Sequence, residues 1–138
     1  MRFMMIVKAS HDSEAGVFPS RELVAAMGRY NEELIKAGAL LAADGLQPSS
    51  KGARVTFSGS KPTVTDGPFP ETEQLVAGFW LIQANSKDEV VQWACRVPFE
   101  DGEVEIRQLY EESDFPADVL PPEEAERERA MREQLRNK

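Results

Sequence analysis

Cysteine and histidine are nearly absent: the 138-residue chain carries one of each, Cys95 and His11. A single cysteine excludes an internal disulfide, which fits a reducing, cytoplasmic compartment. One His and one Cys cannot build a His/Cys metal centre, so no metal is expected. His11, just after the first apolar segment, reads as a surface-loop residue with no partner for base chemistry. Cys95, beside Trp93 and Arg96, reads as a small packed hydrophobe. Long apolar runs are missing as well. None approaches the ~20 residues that cross a bilayer, so no membrane partner is expected. The apolar opening breaks at Lys8 with no small-residue cleavage pattern behind it, which argues against a signal peptide. No phosphate-cradling loop appears, since Gly45 and Gly52 lack a following Lys-Ser/Thr. A nucleophile elbow is also absent, and no cofactor is expected.

Positive charge is in short supply. Lys and Arg number 16 against 24 Asp and Glu, a net charge of −8. Over 100–118 the chain carries Glu100, Asp101, Glu103, Glu105, Glu111, Glu112, Asp114 and Asp118 against Arg107 alone. Such a surface repels phosphate backbones, so nucleic acid is not an expected partner. The hydrophobic fraction of 41% is ample for one folded core, and the length suits a single domain.

The apolar pattern predicts a βαβ unit, a hairpin, and a second βαβ-like half. Residues 2–8 form a strand whose near-continuous apolarity requires cover on both faces. Ser20 caps a helix whose stripe is Leu23, Met27, Tyr30 and Leu34, ended by Gly38. Residues 39–43 form a strand. Residues 53–57 and 61–65 form a hairpin around a three-residue turn, with Pro62 marking a sheet edge. Residues 78–82 form the strongest core strand. Ser86 and Glu89 then open a second helix with a capping box, and residues 104–110 alternate as the last strand. Residues 116–138 form a charged tail, partly helical or frayed.

The most singular local feature is Asp66-Gly67-Pro68-Phe69-Pro70. Gly67 permits positive φ and the prolines remove donors, so Asp66 is held on a stiff loop at a strand end. Two readings follow. Asp66 acts as a base or ligand anchor, or it closes an Asx-type turn by accepting the Phe69 N–H. Tyr30 reads as core or pocket wall, with a hydroxyl that needs a partner if buried.

Residues 27–38, running into Asp44-Gly45-Leu46-Gln47-Pro48, then Asp66-Gly67-Pro68-Phe69 and Gly78-Phe79-Trp80, resemble the DGPF-type branch of YCII-related proteins over residues 1 to about 115. The resemblance implies an α+β fold, a ferredoxin-like βαββαβ subunit with an inserted β-hairpin. Two such subunits pair into a dimeric α/β barrel, a homodimer whose second copy covers the first strand. The His–Asp pair of related proteins does not carry over, because the first helix has Tyr30 and Asn31 and no histidine. Glu73 and Gln74 also replace the usual Lys and Glu after the tetrapeptide. Members of this branch are often encoded beside extracytoplasmic-function sigma factors, which implies a regulatory association. Two functions are carried forward. The first is a small-molecule-binding accessory protein with Tyr30, Asp66, Phe69 and Trp80 at its site. The second is a cofactor-independent enzyme of the barrel cleft with Asp66 as its catalytic group.

Overall fold

A computed structural model describes residues 1–137. The chain divides into two compact units, Met1–Gln108 and one that begins at Leu109. The first unit opens with β1 (Arg2–Lys8), followed by α1 (His11–Glu14), α2 (Arg21–Lys36) and β2 (Leu40–Gly45). A hairpin of β3 (Ala53–Ser58) and β4 (Lys61–Asp66) comes next, then β5 (Val76–Gln83), α3 (Lys87–Cys95) and β6 (Val104–Gln108). The protein is α+β with antiparallel sheets. β1, β2, β5 and β6 form one four-stranded sheet in the order β2-β5-β1-β6, and β3 and β4 form a sheet of their own.

Local chemistry sets the helix ends. The Ser20 hydroxyl accepts the Leu23 N–H at 3.1 Å and starts α2. At its end Gly38 turns to φ +70, and two hydrogen bonds close a Schellman motif. These run from Gly38 N–H to the Ile35 carbonyl and from Ala39 N–H to the Leu34 carbonyl, both 2.9 Å. The Ser86 hydroxyl caps α3 through the Glu89 N–H. The Glu89 carboxylate reaches back one residue further than a capping box requires, to the Asn85 N–H at 3.0 Å.

One face of the sheet supplies the core. Phe3 and Met5 of β1 and Trp80 and Ile82 of β5 are buried with Tyr30 and Leu34 of α2 and Val90 of α3. The alternation of β1 is therefore resolved: Phe3 and Met5 face the helices, and Met4 and Ile6 stay half-buried on the other face.

Three local readings are corrected. The segment after β1 is a one-turn helix, because Ser10 and Ser13 cap each other's backbone N–H groups. The hairpin turn has two residues, since Ser58 pairs with Lys61. Gly59, at φ +66, supplies the positive φ its first central position demands. Cys95 is exposed rather than packed, because it lies on the outer side of α3.

In the second unit, α4 (Pro122–Arg136) starts with proline at its first position. Tyr110 and Phe115 stack with centroids 5.0 Å apart, and Arg129 pairs with Glu112. No helix among the described residues is long and apolar enough to cross a membrane.

Candidate functional site

Core-facing positions along β5 alternate through Ile82 and Trp80 to Gly78, and along β2 through Ala43 to Gly45. Gly45 and Gly78 are cross-strand partners. Neither has a side chain, so the sheet is bare beneath the middle of α2. The strands approach closely at 78, where a Cβ would stand 3.0 Å from the Asp44 carbonyl oxygen and β2 would have to give way slightly.

The bare patch opens into a cleft of about 350 Å³ whose walls include Val7, Met27, Asn31, Asp44, Trp80 and Phe99. A second cleft of about 800 Å³ shares Val7, Met27, Gly45, Ala77 and Phe99 with it. Its outer walls come from α1, the 16–19 loop, residues 46–51 and residues 101–103. The inner end is polar in a defined way. Trp80 Nε1–H donates to Asn31 Oδ1 at 2.7 Å, which fixes the amide orientation and leaves the Asn31 NH₂ group as a donor. Asp44 pairs with Phe79 and so alternates to the opposite face of the sheet, which turns its carboxylate away from Asn31. An apolar floor with a few convergent polar groups is the usual constitution of a small-molecule site.

Of the candidate site residues Tyr30, Asp66, Phe69 and Trp80, only Trp80 lines either of these clefts. Tyr30 is buried in the core, edge-on to Trp80 at 5.5 Å and to Trp93 at 6.2 Å. Its hydroxyl donates to the Trp93 carbonyl at 2.7 Å. Burial pushes that hydroxyl's pKa up to about 12; the Arg96 charge partly offsets this and Glu33 adds to it. Asp66 is exposed at the end of β4, opposite Ala53, and lines neither cleft. Phe69 is half-buried beneath the Arg54 guanidinium, 3.9 Å from its ring centroid. Arg54 in turn pairs with Glu71 at 3.3 Å.

The Asx-turn reading of Asp66 is overturned. The Phe69 N–H donates to Ser49 Oγ at 3.0 Å. Ser49 Oγ–H and N–H both donate to the Glu14 carboxylate, the N–H at 2.9 Å. These two bonds, the hydroxyl first, hold the Glu14 carboxyl below its ordinary range. Gly67 is likewise not at positive φ. It is required because its backbone lies against Ser49, where a Cβ would fall 1.7 Å from the carbonyl oxygen. The conspicuous tetrapeptide is thus one half of a clasp. Its other half is Ser49, which carries no motif of its own, and Glu14 at the wall of the larger cleft.

Residues 1–113 match the YCII-related domain. The chain belongs to that family. An uncharacterized protein of Rhizobium meliloti (strain 1021) is 35% identical over 74 residues, covering 54% of this chain and 56% of the relative. The chain thus spans about half the length of that relative. The YCII-related domain takes in the whole four-stranded sheet, both clefts and the Glu14–Ser49–Phe69 clasp. Asn31, which sequence reasoning did not place at a site, lies in a segment that carried the family resemblance. What makes it a site residue is the bare patch where Gly45 pairs with Gly78, which only the strand register reveals.

Proposed function

We propose that the chain is a small-molecule-binding accessory protein of the DGPF-type branch, working as a homodimer in the cytoplasm. The observation that carries this reading is the cleft under α2, floored by Gly45 and Gly78 and ended by the Trp80–Asn31 pair. Its chemistry suits a small, largely apolar molecule. One acceptor of that molecule would meet the Asn31 NH₂. The strand order supports a ferredoxin-like subunit. The half-buried Met4, Ile6, Phe79 and Leu81 on the open sheet face support pairing of two sheets into a dimeric barrel. An extracytoplasmic-function sigma factor is the regulatory partner implied by the family resemblance.

A cofactor-independent enzyme is the second reading, and Asp12 and Asp101 among the walls of the larger cleft favour it. They are carboxylate residues at a cleft, as a general base requires, whereas Asp66 lines neither cleft.

A small-molecule library scored by tryptophan fluorescence and melting temperature tests the binding reading. Ligands should be found that Asn31→Ala weakens severalfold, since a hydrogen bond contributes roughly 0.5–1.5 kcal/mol. Ligands that Asn31→Ala binds as well as wild type does would place the site elsewhere. Turnover abolished by Asp12→Asn or Asp101→Asn with binding retained would favour the enzyme.

A further inference from the structure

Every residue of β3 and β4 is exposed. Side chains alternate across a hairpin, so Val55 and its partner Val64 share a face with Phe57 and its partner Pro62. Val55 is 52% exposed, Phe57 77% and Val64 65%. A two-stranded hairpin has marginal stability alone and needs a third layer on its apolar face. The base of this hairpin is nonetheless firmly held. Gly67 N–H donates to the Gly52 carbonyl at 3.0 Å, Phe69 N–H donates to Ser49, and Arg54 lies over Phe69. It is a fixed arm with an uncovered apolar side.

Charge indicates what covers it. Within 53–66 the arm carries Arg54 and Lys61 against Asp66, in a chain of net charge −8. Arg54 is taken up by Glu71, whereas Lys61 at the tip has no ion pair among the described residues. Glu100, Asp101 and Glu103 of the same unit also have none. One chain therefore presents both halves of a complementary pair and joins neither to the other.

We propose that the β3–β4 arm docks on a second copy of this chain, its Val55–Phe57–Val64 face against the partner body and Lys61 beside the acidic run at 100–103. Two-fold symmetry makes the contact twice, arm to body in each direction. Because Asp101 and Glu103 line the larger cleft, the arm of one copy would form part of the cleft mouth of the other. The proposal rests on the homodimer reading above, and its test separates the two.

Sedimentation equilibrium gives the dimer dissociation constant of the full chain, of Phe57→Asp and of the charge reversal Lys61→Glu, with circular dichroism checking the fold of each. Phe57→Asp is expected to weaken the dimer at least tenfold. Lys61→Glu should weaken it severalfold, with the difference from wild type shrinking in high salt. As a second measurement, a p-benzoylphenylalanine at position 57 should crosslink two chains on irradiation, and the joined peptide should contain residues 100–103. A wild-type dimer that both substitutions leave unchanged, with no crosslink between chains, overturns the arm and leaves the homodimer standing. A wild-type chain that is monomeric at micromolar concentration overturns both. Should Phe57→Asp misfold, the crosslink and Lys61→Glu decide alone, and a crosslink to any partner other than a second copy refutes the proposal.

Discussion

Ser49 joins three segments through one hydroxyl and one amide. Removing the hydroxyl leaves the Phe69 N–H without its acceptor and the Glu14 carboxylate with one donor fewer. Ser49→Ala should therefore cost about 1–3 kcal/mol of stability in urea unfolding. Asp66→Ala, at an exposed position outside that network, should stay within about 0.5 kcal/mol of wild type. Equal losses in the two variants would restore a turn role for Asp66. The carboxylate end of the clasp has a pH signature. The Glu14 carboxyl is held below its ordinary value in the folded chain by the two Ser49 donors, so its contribution is present above the unfolded value and lost as pH falls through the folded one. The difference in denaturation midpoint between wild type and Glu14→Gln should be constant near neutrality and close below about pH 4.5. A gap that persists under acid would mean that Glu14 acts through packing rather than charge.

At the scale of elements, α2 is held to α3 by Tyr30. Its hydroxyl reaches the Trp93 carbonyl, which also accepts the Arg96 N–H at 3.1 Å, so the carbonyl keeps a partner when the hydroxyl is removed. Tyr30→Phe should therefore cost only about 1 kcal/mol. The Tyr30 pKa, raised by burial to about 12 from 10.0, has the opposite sign to that of Glu14. The folded chain holds this proton more tightly than the unfolded chain. That stability is fully present below pH 10 and is lost as pH rises through 10 to 12. Denaturation midpoints should fall across that window, and fall less steeply in Tyr30→Phe. The helix itself was legible beforehand, from the Ser20 cap and the Leu23, Met27, Tyr30 and Leu34 stripe to the Gly38 stop. Each is a local decision, made within a turn of the backbone it satisfies. The one-turn α1 was missed because its cap is a pair of serines with no apolar stripe behind them.

At the scale of the whole molecule, the main hydrophobic cluster is drawn entirely from the first unit. Its buried members run from Phe3 to Val97, with Val104 and Ile106 packed against them. A chain ending at Phe115 should accordingly keep its near-ultraviolet circular dichroism and a cooperative melt. Loss of both would make residues 116–138 part of the fold. The same cluster explains why β1 reads as apolar on both faces. Phe3 and Met5 fill the core, and Met4 and Ile6 give the open face an apolar character that sequence alone could not assign to one side.

What the sequence determined by itself was the succession of the strands and of the two long helices of the first unit, the caps of those helices and the family, because periodicity, capping side chains and turn glycines act over a few residues. The excess of acid over base was equally plain. Tertiary structure alone decided which acceptor takes the Phe69 N–H and which residues stand around a cavity. Ser49 is 20 residues from Phe69 and 35 from Glu14, and nothing in its neighbourhood along the chain marks it. The cleft arises where Gly45 and Gly78 fall opposite one another on the core-facing side of the sheet. That coincidence is set by register between two strands, and a shift of one residue in either would have turned its glycine outward and closed the floor.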